Sequence, residues 1–84
     1  MKWKYIRDEY PDCWILLEAI EAHSDRGKRV VDKIAVFDKF NNSGEAITAY
    51  RELHKKNPER EIYVAHTKNK DLEIEERKWL DVRI

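Results

Sequence analysis

The stretch Glu61–Thr67, E-I-Y-V-A-H-T, constrains this chain more than any other. It is short, rich in β-favouring side chains and bounded by turn-like residues, so it reads as a β-strand. A strand standing alone leaves its ladder N–H and C=O groups unpaired, which a folded protein rarely tolerates. It needs partners, and only Trp14–Ala22 and Lys28–Asp38 are long enough to supply them.

Each candidate is ambiguous by itself. Cys13–His23 contains Leu, Glu and Ala, which favour a helix. Alternation nevertheless puts Trp14, Leu16, Ile20 and Ala22 on one face, with only Glu18 out of place. Val30–Phe40 is β-branched and aromatic, although Val30, Ile34 and Phe37 also fit a helical period. Between them, Ser24-Asp25-Arg26-Gly27 is turn chemistry, with Gly27 free to take positive φ. The unmet pairing of Glu61–Thr67 decides the matter, and both segments read as strands of one hairpin.

The connection to the third strand is a well-marked helix over Asn42–Pro58. Asn42 can cap the first turn, and Glu45 three residues later completes a capping-box pattern. Ala46, Ile47, Tyr50, Leu53 and His54 form one apolar stripe, while Thr48, Arg51, Glu52 and Lys55 point away from it. Lys55 and Lys56 suit the negative end of the helix dipole. Asn57-Pro58 ends the helix, because the proline ring forces the preceding residue out of the α region.

The expected fold is therefore α+β, a single small domain with the order β-β-α-β. Its core covers about residues 13–67, with arms over 1–12 and 68–84 packing on the sheet. A right-handed crossover makes the third strand parallel to the second, and insertion beside the first makes it antiparallel to that one. In the N-terminal arm, Trp3, Ile6 and Tyr10 suit a short helix ended by Pro11, or an extended segment carrying Trp3 and Tyr5. In the tail, Leu72-Glu73-Ile74-Glu75 alternates like an edge strand, with one helical turn expected near Glu75–Leu80.

The runs C-W-I-L-L-E, G-K-R-V-V-D-K-I-A-V-F-D, E-A-I-T-A-Y-R-E-L-H and I-Y-V-A-H-T resemble small uncharacterised bacterial β-β-α-β proteins of unknown function. The likeness covers Trp14–Thr67 in pattern. It implies a fold and a bacterial source, and it transfers no site residues.

Charge narrows the function classes. Seventeen basic and seventeen acidic residues cancel to a formal net charge of zero, so non-specific binding to nucleic acid or anionic membrane is disfavoured. The longest apolar run, Cys13–Leu17, is far too short to span a bilayer, and no signal-peptide pattern follows Met1. One cysteine cannot form an internal disulfide, which fits a reducing cytoplasm.

No catalytic or metal-binding constellation stands out, and no cofactor is implied. Cys13, His23, His54 and His66 are ligand types without ligand spacing. His66, ending a strand beside Thr67, and Cys13 are the residues a small-molecule binder or minor enzyme would use. Lys55, Lys56, Arg60, Lys68 and Lys70 form a basic group that, with Tyr63, suits RNA phosphates and one stacked base, though Glu59, Glu61 and Asp71 cut its field. Three tryptophans, four tyrosines and two phenylalanines are generous for 84 residues. One sheet face is covered by the helix; the other carries Ile15, Leu17 and Ala19, or their alternates, plus Ala35 and Phe37. Two apolar faces and aromatic arms point to a non-catalytic protein-interaction module, a homodimer or a binder of another protein, with Trp3, Tyr5, Trp79 and Leu80 at the contact. A nucleic-acid-associated regulator is the alternative.

Overall fold

The computed structural model describes residues 1–72, 74 and 75. It contains α1 (Trp3–Glu9), β1 (Trp14–Asp25), β2 (Lys28–Phe40), α2 (Ser43–Lys56), β3 (Ile62–His66) and the two-residue β4 (Ile74–Glu75). The sheet order is β3-β1-β2-β4, every neighbouring pair antiparallel. The α+β reading and the β-β-α-β core are thus as expected. β3 lies beside β1 and antiparallel to it, hence parallel to β2.

The hairpin is longer than its sequence suggested. Asp25 pairs with Lys28, so only Arg26 and Gly27 form the loop. Their φ angles are +52° and +78°, the doubly left-handed pattern of a two-residue hairpin turn whose twist matches the flanking strands. The ladder therefore runs on to the turn, and β1 reaches Asp25 instead of stopping at Ala22. At its other end β2 continues to Phe40, opposite Trp14.

Alternation along β1 sends its side chains to two cores. Ile15 and Leu17, both fully buried, face α1 and pack with Trp3, Ile6, Ile34 and Tyr63. Leu16 points the other way, to Tyr50 of α2 and Ile62. Ile6, Ile15, Leu17 and Ile62 are the largest fully buried side chains, each worth about 1.5–3 kcal/mol of burial. α1 is held by more than apolar contact. Trp3 Nε1 donates to the Asn69 carbonyl at 2.9 Å, and Arg7 Nε donates to the Thr67 carbonyl at 2.9 Å. Met1 and Ile34 exchange main-chain hydrogen bonds at 2.6 and 2.9 Å, tying the start of the chain to β2. The N-terminal segment is a helix, and it covers the face that α2 leaves open. At the other end, Ile74 is buried in the same core.

Two details of the second face differ from expectation. Register shifts interrupt the β1–β2 ladder at three places, one of which leaves Phe37 without a residue opposite it. Ala35 stands opposite Glu18 on the α2 side, because this irregularity breaks the simple alternation of β2. Phe37 is 39% exposed beneath the Arg60 guanidinium. Ile34 takes the place in the α1-side core that alternation had given to Ala35 and Phe37.

α2 begins and ends where its sequence says. Asn42 Oδ1 accepts from the Glu45 N–H at 2.8 Å, and Asn57 closes the other end through its N–H to the Leu53 carbonyl. Ala46 and Tyr50 are buried and Leu53 is half-buried, but Ile47 is 44% exposed, so the buried stripe is narrower than its apolar pattern.

Candidate functional site

The residues singled out in the sequence do not converge. His66 closes β3 directly opposite Trp14, and Trp14 in turn lies opposite Phe40, so three rings form one row across three strands on the α2 side. The His66 ring meets Trp14 edge-on at 4.9 Å. The Lys68 N–H donates to His66 Nδ1 at 3.0 Å, which leaves the proton of a neutral ring on Nε2. Nε2 is 3.8 Å from Asp12 Oδ1, too long for a hydrogen bond, and Lys68 Nζ is 3.4 Å from the same oxygen.

Cys13 belongs to the other face. It is buried in the α1-side core, and its thiol donates to the Tyr10 carbonyl at 3.2 Å. The Cys13 main chain is clamped by Thr67: its N–H donates to Thr67 Oγ1 at 3.0 Å, and its carbonyl accepts from the Thr67 N–H at 2.9 Å. Cys13 and His66 therefore lie on opposite sides of the sheet and do not form a nucleophile–base pair. Among the described residues no three His, Cys, Asp or Glu side chains gather in a way that could hold a metal ion.

The basic group divides. Lys55 and Lys56 are exposed on the last turn of α2. Arg60 is engaged by Glu18 through two bonds, Nε to Oε2 at 2.8 Å and Nη2 to Oε1 at 2.5 Å. Lys68 lies against Asp12, and Lys70 is exposed nearby in sequence. Arg60 precedes β3 and Lys68 follows it, so five strand residues, or about 16 Å, separate the two groups. That is a scattered set of charges, two of them already opposed by carboxylates.

Of the interaction residues, Trp3 is buried against its own chain with 8% exposure, whereas Tyr5 is 59% exposed. Trp79 and Leu80 lie outside the described residues. The apolar second face that motivated a dimer is occupied by α1 and Ile74.

A different feature emerges beside α2. β4 pairs only with Lys28 and Arg29, and Met1 pairs only with Ile34. From Ala35 to Phe40 the outer main chain of β2 has no strand against it among the described residues. Where β2 ends at Phe40 and α2 begins lies a shallow groove of about 600 Å³ lined by Phe40, Asn42, Gly44, Glu45, Thr48, Ala49 and Glu52, so that it meets the strand at Phe40. Glu45, Thr48, Ala49 and Glu52 fall at i, i+3, i+4 and i+7, one stripe of α2 facing the β2 side. Phe40 and Ala49 give it an apolar lining. The carboxylates of Glu45 and Glu52 form no ion pair among the described residues.

Sequence reasoning missed this groove, although it placed Thr48 and Glu52 on the solvent side of the helix, where both are exposed. Their spacing with Ala49 was visible, but nothing in the sequence put an unpaired strand edge next to them. That edge is a consequence of strand order. Comparison with protein-family models, curated proteins and solved structures gives no match to this chain. No helix among the described residues is long and apolar enough to cross a membrane.

Proposed function

We propose that this chain is a small protein-interaction module, and that it receives an extended segment of a polypeptide along β2 between Ala35 and Phe40. The observation that carries this reading is that the outer edge of β2, without a strand against it among the described residues from Ala35 onward, ends at Phe40 in a groove of about 600 Å³. An added strand would gain main-chain hydrogen bonds from the edge, displacing the Asp38 carboxylate that accepts from the Lys39 N–H at 2.8 Å, and side-chain contacts from the groove, the division of labour seen wherever peptides augment sheets. The edge is also guarded against indiscriminate pairing. Asp38 and Lys39 carry charge along it and the register shift at Phe37 distorts it, two devices that discourage aggregation.

The test is a titration of isotope-labelled protein with short extended peptides of basic, neutral and acidic composition, read by NMR, alongside light scattering at rising protein concentration. Shifts in the amides of Ala35–Phe40, produced by a peptide or by self-association and lost in Thr48→Arg, support the reading. Thr48 is exposed, so an arginine there obstructs the groove without entering the core. A protein that stays monomeric and shows no shift at that edge with any of the peptides is not a module of this kind.

A further inference from the structure

Resting on that reading, we infer that the segment the groove accepts is basic, with the pattern basic–x–apolar–x–basic on an extended backbone. The argument is one of charge and spacing. Glu45 and Glu52 stand seven residues apart on α2, roughly 10 Å at the helical rise of about 1.5 Å per residue. Thr48 and Ala49 lie between them on the same stripe. A strand laid along β2 turns every second side chain toward the helix, at intervals of roughly 6.8 Å. Three successive groove-facing side chains thus span roughly 14 Å. The middle one meets Thr48 and Ala49, and the outer two, if they are lysine or arginine, lean inward on flexible stems to the two carboxylates.

Local electrostatics favour that occupant over its opposite. An acidic segment would bring like charges onto Glu45 and Glu52, which is unfavourable for neighbouring charges across a contact. The nearest lysine on β2, Lys39, has its ammonium 5.8 Å from the Tyr10 ring, and Tyr10 packs on the α1-side core. Lys39 is thus turned from the groove and does not neutralise it. A neutral apolar segment would bring no counter-charge to either carboxylate: Glu52 has Lys56 one helical turn away, and Glu45 has no cation at the corresponding positions. The apolar floor of Phe40 and Ala49 is small, which suits a single Val-sized side chain at the middle position and leaves selectivity to the two ends.

The experiment uses the full chain, isotope-labelled, with two probes: the peptides acetyl-Lys-Thr-Val-Thr-Lys-amide and acetyl-Glu-Thr-Val-Thr-Glu-amide. The basic peptide is expected to shift the amides of Ala35–Phe40 and of the Glu45–Glu52 stripe saturably, and the acidic one to leave them in place. Replacing both carboxylates, Glu45→Gln with Glu52→Gln, should weaken the basic peptide at least about tenfold and make binding less sensitive to salt. These exchanges keep helix-favouring side chains at exposed positions and leave the Asn42 cap bond, made by the Glu45 main chain, intact. Equal affinity for both peptides, or affinity unchanged in the double variant, overturns the inference while leaving the interaction module standing. Shifts confined to other surfaces overturn it as well. A dimer that perturbs the same edge, with no response to the basic peptide, assigns the groove to a second copy of this chain instead.

Discussion

Glu18 and Arg60 form a two-pronged ion pair that joins the middle of β1 to the turn entering β3, at 2.8 and 2.5 Å. The Arg60 hydrogen bond and charge hold the Glu18 carboxyl below its ordinary range, against an opposing push from burial. The sign of the consequence follows. In the unfolded chain Glu18 binds its proton more readily than in the folded one, so folding gains from this group at pH above the ordinary glutamate range and loses that gain as pH falls through the depressed folded value. Thermal melts of wild type and Glu18→Gln should differ most near neutral pH and converge in acid. A constant difference across the whole range would rule the pair out as a source of acid sensitivity.

Thr67 is buried, and its hydroxyl sits between the Cys13 N–H and carbonyl. Thr67→Val preserves shape and removes the acceptor. The Cys13 N–H is then buried without that partner, at a cost of about 1–3 kcal/mol, to be read from urea denaturation. Thr67→Ser should recover most of it; a serine variant as unstable as the valine one would show that the methyl group matters more than the hydroxyl.

Ile6 is fully buried where α1 meets the sheet. Ile6→Ala should cost about 2–5 kcal/mol, the usual range for truncating a large aliphatic in a packed core. Because Cys13 shares that core, its thiol should react with a disulfide reagent only through opening of the structure. The reaction should therefore be faster in Ile6→Ala than in wild type, and equal rates would mean that α1 does not shield Cys13.

Gly27 has φ of +78° and open space where a Cβ would go. Gly27→Ala thus meets no clash, only the backbone penalty of a left-handed L-residue, about 1–2 kcal/mol. Calorimetry that finds no loss would mean the turn can adopt another form.

What could be read from the sequence was whatever short-range chemistry controls. Asn42, Glu45 and Asn57-Pro58 mark α2 within one or two residues, because caps and proline sterics act locally. The strand identity of Trp14–Asp25 needed a long-range argument, the pairing demand of Ile62–His66, and that argument held. Alternation failed at Phe37 and Ala35 because a register shift inserts an unpaired residue, and no local pattern announces where two strands will slip. Cys13 and His66 were grouped by chemical type alone, since no spacing in the sequence joins them. The sheet separates them by parity, a fact available only once Trp14 is known to face His66. The groove was invisible for a related reason: Glu45 and Glu52 are ordinary helix-surface residues until the outer edge of β2 near Phe40 is known to have no strand against it among the described residues.

The two-residue loop at Arg26-Gly27 also sets an order in time. The β1–β2 ladder can zip outward from it through contacts close in sequence, such as Asp25 with Lys28. Docking β3 must instead close a loop from Trp14 to His66, whose entropy has to be met before its contacts return anything. The hairpin is thus expected to form first and β3 last. Gly27→Ala should then slow folding, while truncation at Ile62 should mainly hasten unfolding, and stopped-flow measurements on the two variants would separate the limbs.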